Sequence, residues 1–383
     1  MDVTEKKTRL AEIKKFNNKK YKEYKLFEKR KKIHQLEYYS KLRDTNNLLE
    51  IENLKTYFYT DVGTVKAVDG VTFDVPKGKT IGIVGESGCG KSVTSLSIMR
   101  LLQGPQGQIT GGQIRYNQES RNRVIDLTKV TTKEMQSIRG NEISMIFQEP
   151  MTSLNPVFTI GDQIDEVISL HNPKLSKLEV KYRSIDMMKT VGIARADGIY
   201  KSYPHELSGG MRQRVVIAMA LACNPQLIIA DEPTTALDVT IQAQILDLLR
   251  ALKVKINASI MLITHDLGVV AEMADTVVVM YAGRVVEQGT ASDIFHNPLH
   301  PYTIGLMNSR PNINDVTGKL YSIPGNVPNP INLPNYCYFK NRCEKSIDMC
   351  NGEYPPLLSV TDTHKVCCYL YCDQCKKEEA VNG

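Results

Sequence analysis

A glycine-rich loop between a strand pattern and a helix pattern constrains this chain of 383 residues more than any other feature. Residues 80–84 form a short β-branched and apolar run, residues 85–92 read GESGCGKS, and a helical pattern follows through Leu101. Glycines let a backbone wrap closely around phosphate groups, and the helix N-terminus adds a positive dipole end. The order strand, loop, helix is the context in which such a loop binds nucleotide phosphates. The segment therefore predicts an α/β fold with a phosphate site at the start of a helix.

The side chains of this loop have different predicted roles. Lys91 is expected to reach the β- and γ-phosphates, and Ser92 is expected to ligate Mg²⁺. The backbone N–H groups of the loop would point at the phosphates. The predicted contacts with the nucleotide are therefore Gly85, Glu86, Ser87, Gly88, Cys89, Gly90, Lys91 and Ser92.

Two further apolar runs end in residues that suit phosphate chemistry. Residues 227–230 precede Asp231 and Glu232, and residues 260–263 precede the sequence Thr-His-Asp that contains His265. Asp231 suits a Mg²⁺ contact, and Glu232 suits polarisation of an attacking water as a general base. An acidic pair after a strand could instead cap the next element, and a lone histidine at such a place is often a surface residue.

A second anion site is predicted at Ser208, Gly209 and Gly210, where small residues begin an apparent long helix. This site cannot serve a nucleotide that the first loop already surrounds. Gln148 follows the apolar run 145–147, and Asp238 ends a short loop after Glu232.

In this order the motifs resemble the ATP-binding-cassette (ABC) ATPases, and most closely the D-type ATPase subunits of oligopeptide and dipeptide permeases. The resemblance covers residues 47 to about 370 and is carried by four phrases: FQEPMTSLNP at 147–156, YPHELSGGMRQR at 203–214, HPYT at 300–303 and IPGNVP at 323–328. It implies a P-loop NTPase fold of the ABC type, with a RecA-like core, an antiparallel β-subdomain, an α-helical subdomain and a small cysteine-rich C-terminal extension. The expected divisions are a basic extension at 1–46, a nucleotide-binding domain at 47–300 with its helical subdomain at about 150–224, and the C-terminal extension at 301–383.

The resemblance assigns roles to the remaining residues. His265 would contact the γ-phosphate and hold the water in line, and Gln148 would sense both Mg²⁺ and the membrane partner. Ser208 and Gly210, with Gly209 between them, would clamp ATP bound to the loop of a head-to-tail partner, and Asp238 belongs to the neighbouring D-loop. Adenine would stack on Phe58, although the aromatic stripe around Phe58 could equally be core.

Seven of the nine cysteines fall between Cys337 and Cys375. The resemblance maps four of them to a [4Fe–4S] cluster, with Zn²⁺ as the alternative, because either metal accepts four thiolates. The four are Cys337, Cys343, Cys350 and Cys368, and Cys367 could replace Cys368. Cys372 and Cys375 lie beyond the family pattern. Their CxxC spacing could add a second site with Cys367, but they are expected to be free thiols.

Residues 1–44 carry 15 Lys and Arg against 7 Asp and Glu, whereas the rest of the chain carries 33 against 35. This basic arm could be a solvated, partly helical extension, a contact for anionic lipids or a contact for nucleic acid. The sequence contains no apolar stretch of membrane-span or signal-peptide length.

The resemblance implies a peripheral position on the cytoplasmic face of the cell membrane. The implied partners are an F-type ATPase subunit, two transmembrane permeases and an extracytoplasmic peptide-binding protein, with no specific nucleic acid. The implied function is ATP hydrolysis that powers peptide import. The alternative is a soluble ABC ATPase that acts on nucleic acid or ribosomes.

Overall fold

The structure is a computed structural model that describes residues 3–30, 33–148, 153–235, 237–309 and 321–372. The described helices are α1 Val3–Glu28, α2 Gln35–Tyr38, α3 Lys91–Ile98, α4 Thr132–Ile138, α5 Ile160–His171, α6 Lys177–Thr190, α7 Ala196–Ile199, α8 Gly209–Leu221, α9 Val239–Ile256, α10 Leu267–Met273, α11 Ala291–His296 and α12 Pro301–Asn308. The described strands are β1 Asn47–Thr60, β2 Gly63–Pro76, β3 Thr80–Val84, β4 Gly107–Gln118, β5 Arg123–Asp126, β6 Ile143–Ile146, β7 Leu227–Asp231, β8 Ser259–Ile263, β9 Thr276–Tyr281, β10 Arg284–Thr290, β11 Leu358–Ser359 and β12 Lys365–Val366.

The larger sheet has the strand order β11-β12-β10-β9-β3-β8-β7-β6. Strands β9, β3, β8, β7 and β6 run parallel, and every residue of β3, β7 and β8 is buried. Continuous apolar strands of this kind suit a parallel sheet whose two faces are both covered. The short apolar runs of the sequence therefore form the centre of the molecule, as the sequence predicts.

This topology positions the functional residues. The carboxyl ends of β3, β6, β7 and β8 lie at one edge of the sheet, because these four strands are parallel. The phosphate loop follows β3, Gln148 follows β6, Asp231 ends β7 and His265 follows β8. In open α/β sheets ligands bind at this edge. The strand order thus brings together segments that are far apart in the sequence.

A second, antiparallel sheet has the order β2-β1-β4-β5, and the basic helix α1 packs on it. The Asn17 side-chain amide donates to the Thr60 carbonyl at 3.0 Å, and the Tyr21 hydroxyl donates to the Tyr59 carbonyl at 2.8 Å. Phe16 meets the Tyr59 ring edge to face, with the ring centroids 5.8 Å apart. The arm is helical, as expected if it is a solvated, partly helical extension. One of its faces, however, packs against the second sheet rather than facing solvent.

Helices α5 to α8 follow β6 and precede β7 in the sequence. They share a core that includes Ile164, Met188 and Val215. The long helix predicted to start at Ser208, Gly209 and Gly210 is α8, which begins at Gly209 and whose first turn is capped by the Ser208 side chain. Among the described helices, none combines the length and the apolar character that crossing a lipid bilayer requires.

The C-terminal extension joins the edge of the larger sheet. Strand β12 pairs with β10, and β11 pairs with β12. The extension begins with α12, whose first residue is Pro301. Proline is tolerated at a first helical position, because its missing N–H would have no partner within the helix there. Residues 321–330 have no helix or strand.

Candidate active site

The phosphate loop has a conformation that demands glycine at two positions. Gly85 has φ = +151° and Gly90 has φ = +99°. A Cβ on Gly85 would lie 2.2 Å from the Met280 carbonyl oxygen, and one on Gly90 would lie 2.4 Å from the Ala67 carbonyl oxygen. Steric space and backbone conformation therefore both exclude larger residues at Gly85 and Gly90.

Lys91 is the first residue of α3 and is buried. Its ammonium donates to the carbonyl oxygens of Gly85 at 2.7 Å and of Glu86 at 3.1 Å. The positive charge is therefore held within the loop, where it can meet phosphate oxygens together with the backbone N–H groups.

Ser92 and Asp231 meet across the start of α3 and the end of β7. The Ser92 hydroxyl donates to Asp231 Oδ1 at 3.0 Å. Burial raises the pKa of the Asp231 carboxyl, and the charge of Glu232 adds to that rise despite the Ser92 hydrogen bond. Two adjacent protein oxygens fit Mg²⁺, which takes few protein ligands and completes its octahedron with phosphate and water oxygens.

Three hydrogen bonds hold the Glu232 carboxylate at the same edge. Gln148 Nε2 and the Thr235 hydroxyl donate to Oε2 at 2.8 and 3.0 Å, and His265 Nδ1 lies 3.2 Å from Oε1. Glu232 has φ = +48°, a left-handed conformation that is uncommon for residues other than glycine. Its backbone N–H donates to the Ile263 carbonyl at 2.8 Å, which fixes this turn against the end of β8.

The Glu232 carboxyl is suited to act as a base at neutral pH. Burial raises its pKa, but hydrogen bonds from His265 and Thr235 and the charges of His265 and Lys91 outweigh burial, so the pKa is lowered overall. An ionised carboxylate can take a proton from a water molecule that attacks a phosphate.

The second predicted anion site lies elsewhere in the chain. Ser208 caps α8, its hydroxyl accepting from the Met211 N–H at 3.4 Å, and Asp238 caps α9 by accepting from the Ile241 N–H at 2.9 Å. Both caps open on one cavity of about 380 Å³. The described residues that line it are Ser208, Gly209, Gly210, Met211, Arg214, Leu237, Asp238 and Ile241. None of residues 85–92 is among them, so this cavity is separate from the phosphate loop of the same chain.

The three aromatic residues at the end of β1 have different surroundings. The half-buried Phe58 ring lies against Gly107, where an added Cβ would be 2.7 Å from the ring. The Tyr57 hydroxyl donates to Asp69 Oδ1 at 2.6 Å, and Tyr59 is buried under Phe16. The adenine-stacking role of Phe58 stays a prediction.

The cysteine-rich extension gathers the predicted ligands. Cys337, Cys350, Cys367 and Cys368 are buried, and the Cys337 N–H donates to the Cys350 carbonyl at 3.2 Å. Burial, reinforced by the neighbouring cysteines, raises the pKa of Cys337 to about 12 and that of Cys368 to about 11. Cys343 also raises the pKa of both thiols. Across the described ranges, however, no group of three or more His, Cys, Asp or Glu side chains stands at metal-ligand spacing. The donor set fits a thiolate-bound metal by residue type and burial, but not by spacing.

Cys372 takes part in a disulfide, so the expectation of a free thiol is wrong for this residue. Cys375 lies outside the described residues.

The structure brings together the predicted Lys91, Ser92, Gln148, Asp231, Glu232 and His265, and it places Ser208, Gly209, Gly210 and Asp238 at a separate cavity. Sequence reasoning missed Thr235, Tyr302 and Arg342, which contact Glu232 or Glu86. Tyr302 lies in the phrase HPYT, which helped to carry the resemblance, and Arg342 lies between Cys337 and Cys343, two of the cysteines that the resemblance assigns to a metal.

Comparisons with known proteins agree with this geometry. Residues 68–235 match the family model described as "ABC transporter", and residues 286–350 match "Oligopeptide/dipeptide transporter, C-terminal region". The oligopeptide transport ATP-binding protein AppD of Bacillus subtilis is 55% identical over 326 residues, which cover 85% of this chain and 97% of AppD. The dipeptide transport ATP-binding protein DppD of the same organism is 49% identical over 336 residues, which cover 88% of this chain and 98% of DppD.

A solved structure shares the fold of the cassette. The ATP-binding cassette MJ0796, as a dimer in a post-hydrolysis state bound to ADP and phosphate, has a TM-score of 0.56 and 25% identity to this chain. The match covers 63% of this chain and 98% of that one.

Proposed function

Because the chain belongs to the ATP-binding proteins of oligopeptide and dipeptide ABC transporters, we propose that it is the ATP-hydrolysing subunit of a membrane importer for peptides. The comparisons confirm both the family and the ABC-type P-loop fold that the sequence predicted. Proteins of this family are ATPases. The proposal that the cargo is a peptide rests on the names of the relatives. The observation that carries the catalytic part is the contact of Glu232 with Gln148 and His265, beside Lys91, Ser92 and Asp231, at one edge of the sheet.

In the proposed reaction the loop residues bind the phosphates, with Lys91 at the β- and γ-phosphates. Ser92 and Asp231 would hold Mg²⁺, which neutralises phosphate charge when it is bound with ATP. Glu232 takes the proton of the attacking water, while Gln148 and His265 orient the carboxylate and the water. The lowered pKa of Glu232 keeps this base ionised at neutral pH.

A second subunit is needed to complete the site. The cavity at Ser208, Gly209 and Gly210 presents a helix N-terminus, but its described lining includes no phosphate-loop residue of the same chain. We therefore propose a head-to-tail pair in which these residues, with Asp238, close on ATP held by the partner's phosphate loop. Binding of ATP then drives closure, and hydrolysis releases it. The proposed partner is an F-type ATPase subunit.

The proposed assembly places this pair on the cytoplasmic face of the cell membrane, beneath two transmembrane permeases. An extracytoplasmic binding protein would deliver the peptide. Membrane association would then come from the partners, since the described helices include none that could span a bilayer.

A [4Fe–4S] cluster, with Zn²⁺ as the alternative, is proposed at Cys337, Cys343, Cys350 and Cys368. The support is a set of four thiols, three of them buried; burial raises the pKa of Cys337 and Cys368, and Cys343 and Cys350 raise it further. Metal binding would have to displace protons from these thiols, so it is coupled to pH and adds to folding stability. Iron and acid-labile sulfide in anaerobically purified protein would support the cluster; zinc without iron would favour the alternative, and no bound metal would remove both.

Purification of the Glu232→Gln chain from gently solubilised native membranes, with ATP and Mg²⁺ present, tests the assembly. Two polytopic permeases and a second ATPase among the accompanying proteins would support the importer. Ribosomal proteins or DNA, with no permease, would overturn it in favour of a nucleic-acid-linked ABC ATPase. Lys91→Ala protein, which should not form the ATP-bound pair, is the matched control.

A further inference from the structure

A salt bridge joins the cysteine-rich extension to the phosphate loop. Arg342 Nη1 donates to Glu86 Oε2 at 2.7 Å, and Nη2 donates to Oε1 at 3.0 Å. The Arg342 side chain is 5% exposed and that of Glu86 is 27% exposed. A two-point pair of this kind fixes the geometry of the carboxylate as well as its charge.

The extension also fixes Arg342. Its Nε donates to the Pro324 carbonyl at 3.0 Å, and Nη2 also donates to the Ile323 carbonyl at 3.3 Å. Arg342 ends the short helical turn Lys340–Arg342, which lies between Cys337 and Cys343 in the sequence. The guanidinium therefore has little freedom to follow Glu86 if the loop moves.

A second contact ties the backbone of the same loop residue. The Glu86 N–H donates to the hydroxyl oxygen of the buried Tyr302 at 2.8 Å, while the Glu86 carbonyl accepts from the Lys91 ammonium at 3.1 Å. Tyr302 packs against Tyr281 and Phe339, with ring centroids 4.7 and 5.5 Å apart respectively. Glu86 thus lies between the extension and the lysine that binds the phosphates.

We propose that Arg342 is a positioning residue for nucleotide binding, which holds and neutralises the Glu86 carboxylate beside the phosphate site. An unpaired carboxylate in the loop would repel the polyphosphate and compete for the Lys91 ammonium. Arg342 removes this repulsion, and the C-terminal extension is therefore part of the ATP site. The proposal rests on the assignment of residues 85–92 as the phosphate loop.

The test measures the affinity of purified protein for a fluorescent ATP analogue with Mg²⁺ in four forms: wild type, Arg342→Met, Glu86→Gln and the double variant. Arg342→Met should bind about tenfold more weakly, a change of about 1.4 kcal/mol. The double variant should recover most of the lost affinity and match Glu86→Gln within about twofold, since neither contains an unpaired carboxylate. The deficit of Arg342→Met should also shrink at high salt, because ions screen the repulsion.

Two reference variants show whether an unexpected result contradicts the role of Arg342 or the assignment of the phosphate loop. Lys340→Met removes a neighbouring cation that bonds Asn351 at 2.9 Å, and it should bind normally. Lys91→Ala should bind weakly; normal binding there would show that the phosphate-loop assignment itself is wrong. If Lys91→Ala binds weakly but the double variant binds as poorly as Arg342→Met, the role of Arg342 is structural and the proposal is overturned.

A further variant keeps the proposal testable if Arg342→Met does not fold, which its thermal unfolding would show. Glu86→Asp retains the charge, but its shorter side chain cannot make both bonds to Arg342. It should therefore bind nucleotide more weakly than Glu86→Gln, and the opposite order would overturn the proposal.

Discussion

Gln148 Nε2 donates a hydrogen bond to Glu232 Oε2 at 2.8 Å, so the segment after β6 directly contacts the segment after β7. Thr235 donates to the same oxygen, and His265 lies within 3.2 Å of the other. The Glu232 carboxylate is thereby oriented by residues that follow three different strands. This arrangement makes both the position and the pKa of Glu232 depend on its neighbours.

Replacement of Glu232 by glutamine should leave ATP binding intact and reduce turnover by at least about 100-fold, because the amide cannot accept the proton of the water. Steady-state ATPase assays and the amount of ATP retained after gel filtration measure the two effects. Glu272→Gln changes a surface carboxylate that is 57% exposed and should retain full activity. Undiminished hydrolysis by the Glu232 variant would exclude this residue as the base.

Replacement of Thr235 by valine should move the acidic limb of the pH–rate profile to higher pH. As the proposed base, Glu232 would work only when ionised, so activity should be present above its pKa and lost as the pH falls through it. The Thr235 hydroxyl donates one of the hydrogen bonds that lower this pKa against the effect of burial. Loss of that hydrogen bond should therefore raise the pKa of Glu232. The profile of kcat against pH, beside that of Thr190→Val on α6, measures the shift. A limb that stays in place or moves to lower pH would refute this electrostatic account.

Replacement of Lys91 by alanine should weaken the binding of Mg²⁺–ATP by about 10- to 100-fold, since a charged hydrogen-bond donor to phosphate contributes about 1.5–3 kcal/mol. Titration with a fluorescent nucleotide gives the affinity. Lys189→Ala, at an exposed pair with Asp197 near the end of α6, is the matched control. Equal affinities for these two variants would contradict the role of the loop.

Replacement of Arg284 by methionine should lower stability by about 2 kcal/mol or more, because it removes the cation from a buried carboxylate. Arg284 donates to Asp69 at 2.6 Å, and the Asp69 side chain is only 5% exposed. Arg250→Met breaks an exposed pair with Glu272 and should cost less than about 1 kcal/mol. Urea unfolding of both variants measures the difference; similar midpoints would show that the Asp69 pair adds little.

The sequence was sufficient to predict the edge of the core sheet. Residues 85–92, Asp231 and His265 each follow an apolar run that forms a parallel strand, and parallel strands bring their carboxyl ends to one edge. Local periodicity and short motifs carry this information. The capped helix that begins at Gly209 was also predicted from a short motif, the small residues at its start.

Such patterns could not predict contacts between side chains that are far apart in the sequence. Arg342 and Glu86 are 256 residues apart, and no periodicity indicates that they pair. The docked face of α1 depends in the same way on contacts with Thr60 and Tyr59 of β1. The left-handed backbone of Glu232 is set by the end of β8, which local sequence does not encode.

The central claim is that ATP hydrolysis at Glu232 powers peptide import. The most direct measurement is uptake of a labelled peptide mixture into proteoliposomes that hold the complex purified through this chain, with its binding protein outside and ATP inside. Peptide should accumulate in an ATP-dependent manner with the wild-type chain and not with Glu232→Gln. Hydrolysis of ATP by the wild-type complex without accumulation of any peptide would contradict the proposed import function.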